Sequence, residues 1–241
     1  MAACGVEAPG PMKRFWKDVT AEPAQDGFSI RLDGRAVKTP MRNDLIVPTQ
    51  NLSKEIIVEW ESVEKSLNPA DMPMTGLANA AIDRVAPAHE AFADGLAAYG
   101  ENEMCCYRAD SPAELAAQQA ETWDALIDWA ARRYDISFET TVGIMHVDQP
   151  EATLERLRAA VVAENPFTLA GLSPLVTAGQ SLLVALAVRH GELTPEQGWA
   201  ATRIEDEWQI AQWGEDEEAR KSSDARKADF MAGARFLSLL D

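Results

Sequence analysis

Cysteine and histidine are scarce in this 241-residue chain, with three of each. Cys4, Cys105 and Cys106 make neither a disulfide framework nor a metal-ligand spacing, so a reducing compartment is expected. His89, His146 and His190 fall in separate segments, without the His-x-x-x-His pairing of a metal helix. No glycine-rich phosphate loop is present, neither Gly-x-Gly-x-x-Gly nor the Walker pattern. No apolar run approaches the ~18 residues that cross a membrane. The richest run, Ser181 to Val188, is closed by Arg189 and His190 and reads as a buried helix. The N-terminus has neither an apolar signal core nor the arginine-rich character of a transit peptide, so a cytoplasmic location is expected. No cofactor or metal is expected.

Basic residues are also few. Lysine and arginine total 22 against 39 acids, a net charge of −17. Residues 1–80 hold nine basic and eleven acidic side chains, so nearly all the excess lies beyond them. Such a field repels phosphate backbones, so nucleic acid and anionic membranes are poor partners, and membrane insertion is not expected. It keeps the chain soluble, permits a basic partner surface and suits a monomer.

What is present divides the chain in two. Residues 1–12 lack periodicity and read as a flexible arm. From Lys13 to Val19 the aromatic and branched content suggests a first strand. Phe28, Ile30 and Leu32 alternate with polar residues, and Asp33-Gly34 predicts a tight hairpin turn into a strand over 35–39. Leu45 to Val47 is a further short strand. Thr49 caps a helix in which Leu52, Ile56, Trp60, Val63 and Leu67 make one apolar stripe. The proline-broken stretch Asn68 to Thr75 marks a domain boundary. The expected class is α+β, with a small antiparallel β-rich domain over 13–75 and a larger all-helical domain over 76–241.

In the later part, one helix is expected over 87–104. Ser111-Pro-Ala-Glu114 reads as a capping box opening a long helix. Asn165-Pro166 stops another helix, and a mostly apolar one runs from Pro174 to Arg189. Thr194-Pro-Glu-Gln197 is a second capping box, opening a helix that ends at Gly214. In that helix Ile204, Trp208 and Ala211 form an apolar stripe beside Glu205, Gln209 and Trp213. Trp60, Trp123 and Trp208 read as core, whereas Trp213, beside Gly214 and an acidic patch, reads as partly exposed. A solvated face on a packing helix is the plain reading. A recognition surface is the other, and Glu205 with Glu217 could imitate the paired acids of a carboxylate-dependent hydrolase.

Several fragments, in order, resemble the assembly chaperone family for the alpha subunit of F-type ATP synthase. They are Arg14-Phe-Trp-Lys17, Leu32-Asp-Gly-Arg-Ala-Val-Lys-Thr-Pro40, Val47-Pro48, Glu59-Trp60, Met72-Pro-Met-Thr-Gly-Leu-Ala-Asn79 with Asp83, Tyr107-Arg108, Gln119 with Trp123, and Glu205-x-x-x-Gln209-x-x-x-Trp213-Gly214 with Glu217. The likeness spans residues 13–240. The chain departs from the family pattern at Asp216 and at Arg220-Lys221. The resemblance implies a two-part architecture and no enzyme activity or cofactor. It implies capture of the unassembled alpha subunit without ATP, and release to beta. Family members act in bacteria and in the mitochondrial matrix. The partner-binding residues expected are Glu205, Gln209, Trp213, Glu215 and Glu217, with Glu207 second. A passive interaction scaffold is a further alternative.

Overall fold

The structure, a computed structural model, describes residues 13–241; the arm expected over 1–12 lies outside them. Strand β1 (Val19–Ala24) pairs antiparallel along its whole length with β2 (Gly27–Leu32), Val19 facing Leu32. Strands β3 (Arg35–Ala36) and β4 (Ile46–Val47) both add to β2. The Asp33-Gly34 turn forms with φ of 47° and 76°, the doubly left-handed geometry of a type I′ hairpin. Gly27 is required for another reason: a Cβ there would sit 2.1 Å from the Val47 carbonyl oxygen.

The strand expected at residues 13–19 is displaced. Lys13 makes an isolated bridge with Ser66, and regular pairing begins at Val19. The aromatic content that suggested a strand instead serves packing. Buried Trp16 meets Trp60 edge-on at 5.1 Å and donates its indole N–H to the Trp60 carbonyl.

Helix α1 (Gln50–Ser62) starts at Thr49, whose hydroxyl accepts the Leu52 N–H, and buries Leu52, Ile56 and Trp60 against the sheet. Buried Glu59 then reaches helix α2 (Pro73–Ala80). Its carboxylate accepts the Met74 and Thr75 N–H groups at 2.6 and 2.8 Å and the Thr75 hydroxyl at 2.7 Å. Burial raises the Glu59 pKa, opposed by those bonds. A π turn (Ala81–Val85) follows α2 and carries Asp83, which gathers Thr39, Met41 and Asn43. Burial opposes ionisation of Asp83, but these three bonds outweigh it and its pKa is lowered.

Beyond this point the chain is helical apart from two strands. They are α3 (His89–Ala97), β5 (Tyr107–Arg108), α4 (Ala113–Tyr134), β6 (Thr141–Val142), α5 (Glu151–Val162), α6 (Pro166–Gly179), α7 (Leu182–Arg189), α8 (Pro195–Thr202), α9 (Ile204–Trp213) and α10 (Glu217–Ser238). Strands β5 and β6 pair in parallel. The helices enclose a core that includes Leu157, Leu169, Leu172, Leu175, Leu182 and Leu183, all fully buried.

Four local expectations change. The helix placed over 87–104 ends as α-helix at Ala97 and continues in short 3₁₀ turns. Asn165-Pro166 begins a helix rather than only ending one: the Asn165 side chain caps Phe167 and Thr168, and proline suits the first turn. The apolar helix expected over 174–189 is two, broken where Gln180 turns left-handed and Ser181 caps α7. Before α4 the capping position falls on Pro112, which has no side-chain acceptor, so no capping box forms there. The Thr194 box forms as expected.

Helix α10 ties the chain together. It crosses α6 where a Cβ on Gly233 would lie 2.5 Å from Leu175 and Pro174 and 2.7 Å from the Gly171 carbonyl oxygen. Its far end delivers Phe236 to the core beneath the β-sheet, Leu239 follows it there, and Thr49 donates to the Leu239 carbonyl. Backbone at that distance cannot yield as a flexible side chain would. Gly233→Ala should therefore cost about 1–3 kcal/mol from overpacking, read as a lowered Tm. An unchanged melting curve would show that the helices separate freely.

Candidate partner-binding surface

The helix expected to run unbroken to Gly214 is divided at Arg203, where α8 ends and α9 begins. A buried guanidinium marks the break. Arg203 lies 5.8 Å over the Trp199 ring, pairs with Asp206 and stands 4.0 Å from Glu207. The apolar stripe is shorter than expected. Ile204 is buried and Trp208 half-buried, but Ala211 is exposed, and half-buried Ile210 lies on the side facing α10.

All six expected side chains are exposed. Glu205, Glu207, Gln209 and Trp213 project from α9, while Glu215 and Glu217 flank the junction to α10. Trp213 is 79% exposed, an unusual position for so large an apolar group. Trp60 and Trp123 are buried. Gly214 ends α9 at φ 85°. Asp216 then caps α10 by accepting the Glu218 and Ala219 N–H groups at 3.0 and 2.9 Å. The departures from the family pattern thus have local roles: Asp216 is this cap, Arg220 faces Asp224 at 3.6 Å, and Lys221 pairs with Glu217 at 2.7 Å.

Glu205 is held from below. Gln119 on α4, fully buried, accepts the Ala109 N–H at 2.7 Å through its carbonyl oxygen. That bond fixes the orientation of the amide, so its NH₂ faces Glu205 and donates at 2.6 Å. Trp123, one turn along α4, donates to the Ala201 carbonyl and carries Arg108 5.4 Å over its ring.

Two clefts adjoin this helix. One of about 420 Å³ lies between α9 and the start of α10, lined by Gln209, Trp213, Glu215, Arg220 and others. The second, about 280 Å³, is lined by Met104, Tyr107, Trp123, Gln180 and Glu205. Arg203, Asp206 and Arg226 line both, so the two clefts adjoin. Neither arginine was legible as part of this surface, because isolated basic residues in an acidic sequence carry no spacing signal. Tyr107, Gln119 and Trp123 were visible only as fragments of the resemblance.

The three histidines and the two described cysteines have separate surroundings. His89 bonds the Glu164 carbonyl, and His146 lies among Asn102, Tyr107 and Asp148. The His190 pKa is pushed down to about 4 by burial and by Arg133 and Arg189. Burial, with Glu103 nearby, pushes the Cys106 thiol up to about 12, against thiolate formation. Glu205 and Glu217 are both exposed, Glu205 bonded to Gln119 and Glu217 paired with Lys221. Among the described residues, no three His, Cys, Asp or Glu side chains are grouped to hold a metal ion. No described helix is long and apolar enough to cross a membrane.

The sequence model of the ATP12 chaperone protein family matches residues 13–131. The crystal structure of Atp12 from Paracoccus denitrificans is 39% identical, superposes with a TM-score of 0.92 and covers 95% of this chain and 99% of its own. The chain belongs to the ATP12 chaperone family. The Atu1473 protein of Agrobacterium tumefaciens is 34% identical, with a TM-score of 0.89 over 95% of this chain and 86% of that one. Mitochondrial Protein atp12 of Schizosaccharomyces pombe is 27% identical over 239 residues, covering 94% of this chain and 82% of the relative. Within this ATP12 fold, Glu59-Trp60, Met72 to Thr75 and Asp83 are packing and hydrogen-bonding nodes, whereas the α9 residues face solvent.

Proposed function

We propose that this ATP12-family chain is an assembly chaperone that captures the unassembled alpha subunit of the ATP synthase catalytic sector. It prevents aggregation of alpha and releases it to beta without ATP. Glu205, Gln209, Trp213, Glu215 and Glu217, with Glu207 beside them, are the contact residues of this reading. The observation that carries it is an exposed Trp213 at the mouth of a groove, set on a helix whose Glu205 is oriented from the core.

The physical logic is that of a temporary cap. An unassembled subunit exposes apolar surface intended for its neighbours, and such patches aggregate. A large aromatic anchor ringed by polar groups is the common composition of an interface hot spot. The net charge of −17 speeds encounter with a basic target and opposes self-association, so the chaperone acts as a monomer. The beta subunit competes for the same surface of alpha and displaces it.

Co-expression with alpha from the same organism, without beta, tests this. Soluble alpha should co-elute with the chain, and added beta should dissolve the complex. Alpha that aggregates equally with and without the chain would overturn the reading. Stable retention on the assembled enzyme would point instead to a scaffold.

A further inference from the structure

We infer that the loop Val142–Met145 is a second docking element, receiving an extended apolar segment of the same client. The inference rests on the chaperone reading above. Val142, Ile144 and Met145 are 59%, 96% and 75% exposed, three large apolar side chains within four residues. They do not sit on a slack loop. At its base, Gln149 accepts the Glu139 N–H at 3.0 Å and donates to the Glu139 carbonyl at 2.9 Å. Near the tip, the Gly143 N–H donates to the Arg108 carbonyl at 2.8 Å. His146 closes the far side, 3.0 Å from Asn102 and 3.1 Å from Asp148. The apolar groups are thus presented outward from a stapled frame, which lowers the ordering cost of binding.

Two observations select the occupant. First, the loop is continuous with the α9 groove through one residue. Tyr107 lines the cleft beside Glu205, pairs in β5 with Thr141, and brings its hydroxyl within 3.4 Å of His146. A client seated on Glu205 would meet the loop on the far side of Tyr107. Second, residues 140–147 contain no acid and no lysine or arginine, within a chain of net charge −17. Glu139 and Asp148 bound this uncharged stretch, so the loop itself offers apolar contact area. A second copy of the chain is disfavoured by the repulsion of two such fields. Among the described residues β6 pairs only with β5, so its other edge has no strand partner, and strand addition is the mode of binding this inference expects.

The test is a triple variant, Val142→Ser with Ile144→Ser and Met145→Ser, in the full chain. Its folding should match wild type by circular dichroism and melting, because these side chains are exposed. Its capture of alpha should weaken roughly tenfold or more. A photo-crosslinking residue at position 144 should attach to an apolar stretch of alpha in the otherwise unaltered protein. Equal capture by the triple variant, or crosslinks only between copies of this chain, would overturn the inference alone. Failure of the wild-type chain to hold alpha would overturn the chaperone reading and this inference with it.

Discussion

Glu103→Ala should cost about 3–5 kcal/mol, a large share of the stability of an ordinary domain. Glu103 is fully buried, yet its carboxylate accepts from the Ser181 hydroxyl, the Leu182 and Leu183 N–H groups at 3.0 and 3.1 Å, and the Cys105 N–H at 3.3 Å. It completes the Ser181 cap of α7 from another part of the chain. Removing it strands donors at the start of the most buried helix and leaves a void beside them. Burial raises the pKa of Glu103, and the hydrogen bonds from Ser181 and the backbone oppose that rise. The folded state therefore holds this proton to higher pH than the unfolded chain. The group's contribution is fully present below the ordinary carboxylate pKa and is lost as pH rises through the folded value. Urea melts of wild type and variant across pH 4–8 should show a gap that narrows toward higher pH. A loss below about 1 kcal/mol at every pH would mean water satisfies the stranded donors and the node is dispensable.

Glu205→Lys should weaken capture of the alpha subunit roughly a hundredfold if Glu205 meets a basic group there, the size seen for reversing a close interfacial charge. The fold should survive at a cost of about 1–3 kcal/mol, since the Glu205 side chain is exposed but the buried Gln119 amide loses its acceptor. Glu205→Gln separates charge from shape: it retains an acceptor for Gln119 and should fall between wild type and the lysine variant. Glu207→Lys, two residues along α9 and outside the Gln119 hydrogen bond, should have the smaller effect on capture. Affinities measured with purified alpha decide this. Wild-type binding by folded Glu205→Lys would remove Glu205 from the contact surface. A loss equal for Glu205→Lys and Glu207→Lys would indicate general charge attraction in place of a specific contact.

The features legible in the chain share one property: their partners lie within a few residues. Thr49 and Thr194 cap helices through the N–H three residues on, and Asp33-Gly34 closes a hairpin between adjacent strands. The stripe Leu52, Ile56, Trp60 is a property of helical spacing alone. The exposure of Trp213 was legible for a similar reason, since Gly214 ends the helix and acids crowd around it. The candidate surface was therefore visible as a string along α9, but its depth was not. Gln119 lies 86 residues from Glu205, and no pattern in either segment signals that the two will meet.

The amino-acid sequence by itself determined an α+β chain with a β-rich start, helices with known caps, a strongly acidic surface and an exposed tryptophan. Short-range hydrogen bonding and the periodicity of apolar burial require only neighbours. Tertiary structure decided what supports the helix break before α7, because Glu103, 78 residues from Ser181, accepts the first N–H groups of that helix. It also decided that the last helix completes the first core, with Phe236 beneath the sheet, and that Arg203 and Arg226 line a groove among acids. Those outcomes depend on which distant groups must share buried space and satisfy one another's polar atoms, a condition that exists only once the chain has packed.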